Sequence, residues 1–470
     1  MSKKKQLMKN TIIIFLGKVM TQLITFFLLP IYTSYLDKDQ YGLVDLIQTY
    51  VVLIVPIITL ELEMSVFRFL IERRNDEKDT KKVLTNNYFV LLFGLVVFSI
   101  IYIVFTEFVY FQYRWLILID IIVCTISGNF LQIARGFGKT IDFTISSIIT
   151  GIFTVLSNIV LIILFNMKTE GMIISMVFAN FLGAVYLFFK LKLYKYFSFD
   201  LIDNKLIKKM NKYSIPLIPN GISWWIVNVS DRTIISFVLG NAYNGLYAIS
   251  NKFPTLMSSL LGIFNLSWSE SASLHINSSD RDEFFSDVTN TTVKIFSSIG
   301  ALMISFMPFI FPILINSKYN EALDYIPLLV LGSFFNVLIC LYSGMYIALK
   351  MTKKVATTSV LGAVINIIIN IIFIKKFGLY AAAASTAIAY FIMMIYRHID
   401  IKKYINIKFK KTLVLNTIII YLFVIIIYYQ NNIYLNIISI LLVIIYSIIL
   451  NKDFLLASKN TIISKIKFKG

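Results

Sequence analysis

Charge is scarce in this chain. Only 15% of its 470 residues are Asp, Glu, Lys or Arg, against roughly 25% in soluble domains, and that deficit excludes a water-soluble globular enzyme. Histidine and cysteine are scarcer still, with two of each. His275 and His398 stand far apart beside the ends of apolar segments, while Cys124 and Cys340 each sit inside one. No framework disulfide, His–Cys catalytic pair or metal cluster can be assembled from them. The chain is therefore expected to carry no catalytic residue, no metal and no cofactor. A phosphate-cradling Walker loop is also missing, so the chain is not its own ATPase. Connections between apolar runs are too short for a separate soluble domain, which leaves little room for the catalytic domain of a membrane polymerase and disfavours that alternative.

Apolar surface is what the chain has. Hydrophobic residues make up 58% and the mean hydropathy is +0.79, which excludes disorder. A transmembrane helix needs about 20 mostly apolar residues. The pattern predicts fourteen spans, near 11–36, 42–71, 83–105, 115–134, 141–165, 171–189, 213–239, 245–272, 288–311, 325–348, 355–374, 379–396, 412–429 and 433–450. The N-terminus MSKKKQLMKN leads into the first of these without a small-residue cleavage site, so a retained helix is expected there rather than a signal peptide.

The net charge of +19 could suggest nucleic-acid binding until the charges are placed. With the N-terminus inside, 33 of the 44 Lys and Arg fall in cytoplasmic segments and 6 in external loops, the other five lying within spans. A single miscounted span would swap every later loop, so this bias predicts fourteen helices with both termini inside. A basic domain for nucleic acid does not exist.

The chain also repeats. Leu36-Asp-Lys-Asp-Gln-Tyr-Gly42-Leu43 and Leu239-Gly-Asn-Ala-Tyr-Asn-Gly245-Leu246 share L-x5-G-L at an offset of 203 residues. Cys124-Thr-Ile-Ser127-Gly128 and Cys340-Leu-Tyr-Ser343-Gly344 share C-x2-S-G at an offset of 216, each followed by a short basic turn. Together they predict a duplicated six-helix lobe, with parallel repeats because six is even. The expected organisation is an N-lobe over 1–190, a basic linker over 191–212 and a C-lobe over 213–396. Residues 397–470 then hold a basic linker, spans 13 and 14 and a tail. The linker reads equally as a surface-lying helix or a solvated connector.

Ionisable residues inside spans are costly and default to functional candidates. In span 8, Lys252, Ser259 and Glu270 return to nearly one helix face. Span 2 offers Glu61 and Arg68 on one face, with Glu63 pointing elsewhere. Span 1 contributes Lys18, Gln22 and Thr25, and span 7 offers Asn220, Ser223 and Asp231 with Arg232 adjacent. Residues near span ends also snorkel to the interface, and that reading suits Arg232 and Lys294. Pro56 and Pro254 make spans 2 and 8 candidates for bent helices. Trp224, Trp225 and Trp268 could stack sugars, although packing is the more common role.

Several stretches resemble the polysaccharide-transporter family of the multidrug/oligosaccharidyl-lipid/polysaccharide exporter superfamily. They are KNTIIIFLGKVMTQLITFFLLPIYTSYLDKDQYGL, PLIPNGISWWIVNVSDRTIISFVLGNAYNGLYAISNKFP, and the basic turns RGFGKT and LKMTKK. The Ser223 to Trp225 and Ser230 to Arg232 segment is the most specific piece. The resemblance implies a bacterial plasma-membrane flippase for an undecaprenyl-diphosphate-linked oligosaccharide. It also implies a pair of six-helix bundles whose spans 1, 2, 7 and 8 line a cationic cavity, to which Lys18, Arg68 and Lys252 correspond. Partners would be the lipid-linked oligosaccharide, membrane lipids, and the polymerase and glycosyltransferases of the pathway.

Rival readings are a multidrug antiporter of the same fold, in which Glu61 or Asp231 would couple transport to an ion, and a flippase for a peptidoglycan precursor. The repeat offset sets Arg68 against position 271, beside Glu270. That correspondence predicts an inner gate in which Arg68 and Glu270 pair when the inner side closes.

Overall fold

The computed structural model describes residues 26–74 and 76–453, together with Ile24 and Leu456. Among the described residues every regular element is helical. Two compact units divide the chain, Met1–Gly245 and Leu246–Gly470.

In the first unit, α1 (Phe26–Tyr35) leads into α2 (Lys38–Ile58), where the Gln40 side chain accepts from the Asp37 amide at 3.1 Å and closes the helix start. There follow α3 (Leu62–Arg73), α4 (Glu77–Phe108), α5 (Arg114–Gly136) and α6 (Thr140–Asn158), which runs on through a π-helical stretch, Ile159–Leu164. Next come α7 (Lys168–Lys190), short 3-10 turns at Leu193–Tyr196 and Phe199–Leu201, α8 (Asn204–Ser214) and α9 (Ile218–Val238). The linker thus holds two short 3-10 turns and the helix α8.

Helix α10 (Asn241–His275) begins in the first unit and continues into the second. The second unit adds α11 (Arg281–Leu314), α12 (Ile326–Ala348), α13 (Thr352–Phe377), α14 (Leu379–Ile401), α15 (Lys411–Tyr429) and α16 (Ile433–Leu450). Eleven of the described helices are long and apolar enough to cross a membrane, and α1, α9 and α10 occupy the expected first, seventh and eighth spans. The chain is an all-α, multi-pass membrane protein.

Span 2 corrects the expectation of one bent helix, because it is two helices. Thr59 to Glu61 break it, with Leu60 and Glu61 both in the left-handed region at φ 52° and 55°. α2 runs through Pro56 to Ile58 and ends in a left-handed cap, where the Pro56 carbonyl accepts from the Glu61 amide at 2.9 Å. Two successive non-glycine residues at positive φ store strain, which the packed surroundings must hold. Pro254 likewise lies inside its helix, α10, without ending it.

Lipid offers helices no hydrophobic reason to associate, so small residues and hydroxyls do the packing. In the first unit α6 meets α7 where Gly183 faces Ser146 and Thr150, and Ser146 donates to the Gly183 carbonyl at 2.9 Å. In the second, the alanine-rich face of α14 packs on α12 and α13, with Gly332 against Ala387. The last helix pair packs on α11, where Tyr421 fills the space over Gly300 and Ser305 meets Ser439 at 3.1 Å.

Candidate functional site

The two L-x5-G-L repeats touch each other. A Cβ on Gly42 would collide with the Asn241 carbonyl and lie 2.6 Å from the Gly245 amide nitrogen. A Cβ on Gly245 would collide with the Lys38 carbonyl and come within 3.2 Å of the Gly42 nitrogen. Residues 38 and 241 are separated by the same offset as 42 and 245, so the start of α2 and the start of α10 cross reciprocally through their glycines. Asn244 donates to the Gly42 carbonyl at 2.8 Å and closes the crossing.

Below it, α2 and α9 are joined by polar groups. Arg232 pairs with Asp45 at 3.3 Å and reaches the Thr49 hydroxyl at 3.4 Å, while the Trp225 indole donates to the Thr49 carbonyl at 2.8 Å. Arg232 therefore does not snorkel. It is held by an acid on a neighbouring helix. Asp231, next to it, is only 5% exposed.

The other expected site residues fall as follows. Glu61 occupies the break between α2 and α3, its carboxylate lying over Gly221 of α9. Arg68 is exposed and pairs with Glu72 at 2.8 Å within α3. On α10, Lys252 and Ser259 are half-buried, the Ser259 hydroxyl donating to Thr255 at 2.9 Å, and Thr255, Gly262, Glu270 and Ser273 are exposed. These positions form one polar stripe, half-buried at Lys252 and Ser259 and exposed elsewhere. Lys18, Gln22 and Thr25 lie outside the described residues, as do the side chains of Asn220, Ser223 and Trp224. Trp268 packs rather than binds: it is 3% exposed, stacks between Phe264 and Phe284 and donates to the Leu341 carbonyl at 3.0 Å.

The C-x2-S-G repeats mark two buried polar cores. In the first unit Gly128 leaves room for the Glu63 carboxylate, which a Cβ there would approach to 2.8 Å. One turn away Cys124 donates to Asp120, which is 0% exposed and also accepts from Gln48 at 2.7 Å. In the second unit Gly344 leaves room for the Trp268 indole, and Ser343 accepts from Arg397. Arg397 is 1% exposed and has no carboxylate partner among the described residues. Its guanidinium donates to Thr358 at 2.9 Å, to the Ile339 and Val355 carbonyls at 3.0 Å each, and to Ser359 at 3.1 Å. Sequence reasoning passed over Asp45, Gln48 and Asp120, and it counted Arg397 among loop cations. The signal for Asp120 was present, a lone carboxylate in an apolar run. The signal for Arg397 was not, because α14 continues past the apolar window to Ile401.

Comparison with known proteins sets this geometry in context. An uncharacterized membrane protein of Methanocaldococcus jannaschii, MJ1375, is 22% identical over 356 residues, covering 70% of this chain and 84% of the relative. Among solved structures, the lipid II flippase MurJ in an inward closed conformation superposes with a TM-score of 0.71 at 18% identity, covering 95% of this chain and 100% of that one. An inward-facing multidrug resistance MATE family transporter gives 0.65 at 10% identity, over 82% and 95% of the two chains. At those identities the likeness is one of fold, that of the multidrug/oligosaccharidyl-lipid/polysaccharide exporter superfamily. The family of polysaccharide biosynthesis proteins matches residues 7–268, more than half of the sequence, and the chain belongs to that family.

Proposed function

We propose that this protein is a flippase that carries an undecaprenyl-diphosphate-linked oligosaccharide repeat unit from the inner to the outer leaflet of a bacterial plasma membrane. Its product would feed O-antigen, capsule or another surface polysaccharide, alongside the polymerase and glycosyltransferases of that pathway. The lobes at 1–190 and 213–396 would alternate access to a cavity lined by Lys18, Gln22, Arg68, Asn220, Ser223, Asp231, Lys252 and Ser259. One observation carries this reading: α10 keeps a half-buried cation, hydroxyls and an exposed anion on one polar face. Such a face is costly against hydrocarbon and is supported by a wet pathway. Lys252 and Lys18 would meet the diphosphate as point charges, with Arg68 deeper. Glu61 and Asp231 are the coupling candidates.

In a strain deleted for the native flippase, the wild-type chain is expected to restore surface polysaccharide. Lys18→Ala and Lys252→Ala should each cut export roughly tenfold or more, the loss expected of one charged hydrogen bond, with repeat units accumulating on the inner leaflet. Lys→Arg at either site should be tolerated better. Arg68→Glu and Glu270→Arg should each impair export moderately, and the double exchange should restore it if these two form the inner gate. Undiminished export by both alanine variants at normal expression, or efflux of organic cations in place of repeat-unit export, would sink the reading.

A further inference from the structure

Six cations converge on one basin at the cytoplasmic ends of the first unit's helices. Arg74 comes from the α3–α4 connection and Lys81 from the start of α4, Lys139 from the turn after α5, and Lys190, Lys192 and Lys195 from the end of α7 and the 3-10 turn that follows. The basin measures about 710 Å³, and its rim carries one acid, Glu77. The three contributing segments are among those that the charge bias assigns to the cytoplasm.

A topology signal alone would scatter such cations. The groove on the other side of α4 shows what that looks like, with Arg73, Lys82, Lys205 and Lys209 set among Asp79 and Asp203. There Lys82 pairs with Asp203 at 2.7 Å and Arg73 with Asp79 at 3.9 Å. The hydrogen bond from Lys82, with those from the Lys205 and Leu206 amides, holds the Asp203 carboxyl below the usual carboxylate range. In the basin none of the six cations is ion-paired among the described residues.

The basin is also shaped. Gly138 has a φ of +73°, and a Cβ there would meet the Arg74 guanidinium at 2.7 Å, so the turn leaves room for that side chain to lie against its backbone. Phe137 and Tyr196 meet at 5.6 Å and form an apolar wall. Beside it Phe189, Tyr194 and Phe199 are 64%, 53% and 75% exposed. Exposed aromatics next to basic side chains are the signature of the headgroup layer.

We infer that this basin binds the phosphate of a lipid headgroup in the cytoplasmic leaflet. The phosphate could belong to a bulk anionic phospholipid or to a polyprenyl diphosphate. The site does not depend on the transport reading, because it uses none of the cavity residues. Each basic residue near a membrane surface adds roughly a fivefold preference for anionic lipid, and the attraction is screened by salt.

The test is native mass spectrometry of the full chain in neutral detergent. It is titrated in turn with phosphatidylcholine, phosphatidylglycerol, cardiolipin and undecaprenyl diphosphate, with inorganic pyrophosphate as competitor. The wild type should prefer the phosphate-rich anionic lipids over phosphatidylcholine and lose that preference as salt is raised. Arg74→Ala, Lys139→Ala and Lys192→Ala combined should weaken binding roughly 100-fold. The charge-keeping set Arg74→Lys, Lys139→Arg and Lys192→Arg should retain it. A control set outside the basin, Lys78→Ala, Lys205→Ala and Lys208→Ala, should leave it unchanged. All six positions substituted are exposed, and size-exclusion profiles check that the fold survives. Tighter binding of undecaprenyl diphosphate than of the phospholipids would identify the carrier lipid as the source, and the reverse order would identify bulk phospholipid. Equal binding of phosphatidylcholine, or equal loss in the alanine and control sets, overturns the inference.

Discussion

Arg397→Ala should cost about 3–5 kcal/mol of stability, the range for opening a large buried cavity while deleting charged hydrogen bonds. The side chain leaves α14 and donates to Ile339 and Ser343 on α12 and to Val355, Thr358 and Ser359 on α13. One guanidinium therefore staples three helices with five donated bonds, and its charge is spread over carbonyls and hydroxyls instead of being met by an acid. Truncation removes all five bonds and leaves a void at the junction. Thermal inactivation of the purified chain should begin on the order of 10 °C lower. Arg397→Lys should recover only part of this, because an ammonium has three donors, no planar fork and stronger hydration. Equal inactivation temperatures for wild type and Arg397→Ala would show that the staple holds nothing.

The second large effect is expected at Gly42 and Gly245. The obstacle to a side chain at either position is backbone, not a flexible side chain that could turn away. Gly42→Val and Gly245→Val should each abolish function in complementation, and even the alanine variants should lose most of it, since overpacking of this kind costs about 1–3 kcal/mol. Both substitutions strike one crossing, so the double variant should be little worse than either single one. Gly262→Ala supplies the comparison. Nothing lies within 4 Å of a Cβ there, and alanine in a helix is favoured over glycine by up to about 1 kcal/mol. If Gly262→Ala proved as harmful as Gly42→Ala, the collision would not be the cause.

Much of this architecture could be read before any coordinates. Lipid accepts only segments whose backbone groups are all paired, apolar runs this long meet that demand as helices, and the charge bias pointed to how many were needed. The L-x5-G-L repeat was legible as a duplication, and its glycines turn out to mark a contact. The break at Leu60 and Glu61 was not legible, because Leu-Glu-Leu reads as ordinary helix and neither residue advertises positive φ. Asp45 and Arg232 were separately visible, yet 187 positions apart nothing in the pattern joins them. The basin was hidden for the opposite reason: its cations were counted one loop at a time, and only folding brings those loops together.

The break in the second span has a mechanical consequence. A continuous helix is a rigid rod, so twist or tilt imposed at one end arrives at the other. Here the outer rod, α2, rests mainly on α9 and also on α5, α7 and α4, whereas the inner rod, α3, rests mainly on α5 and also on α4 and α8, with Ser65 donating to the Met210 carbonyl at 3.1 Å. The joint between them has no helical bond running straight through it. Torque on the outer rod is therefore absorbed at Thr59 to Glu61 rather than delivered to the inner one, and Glu61 is the side chain seated on the pivot.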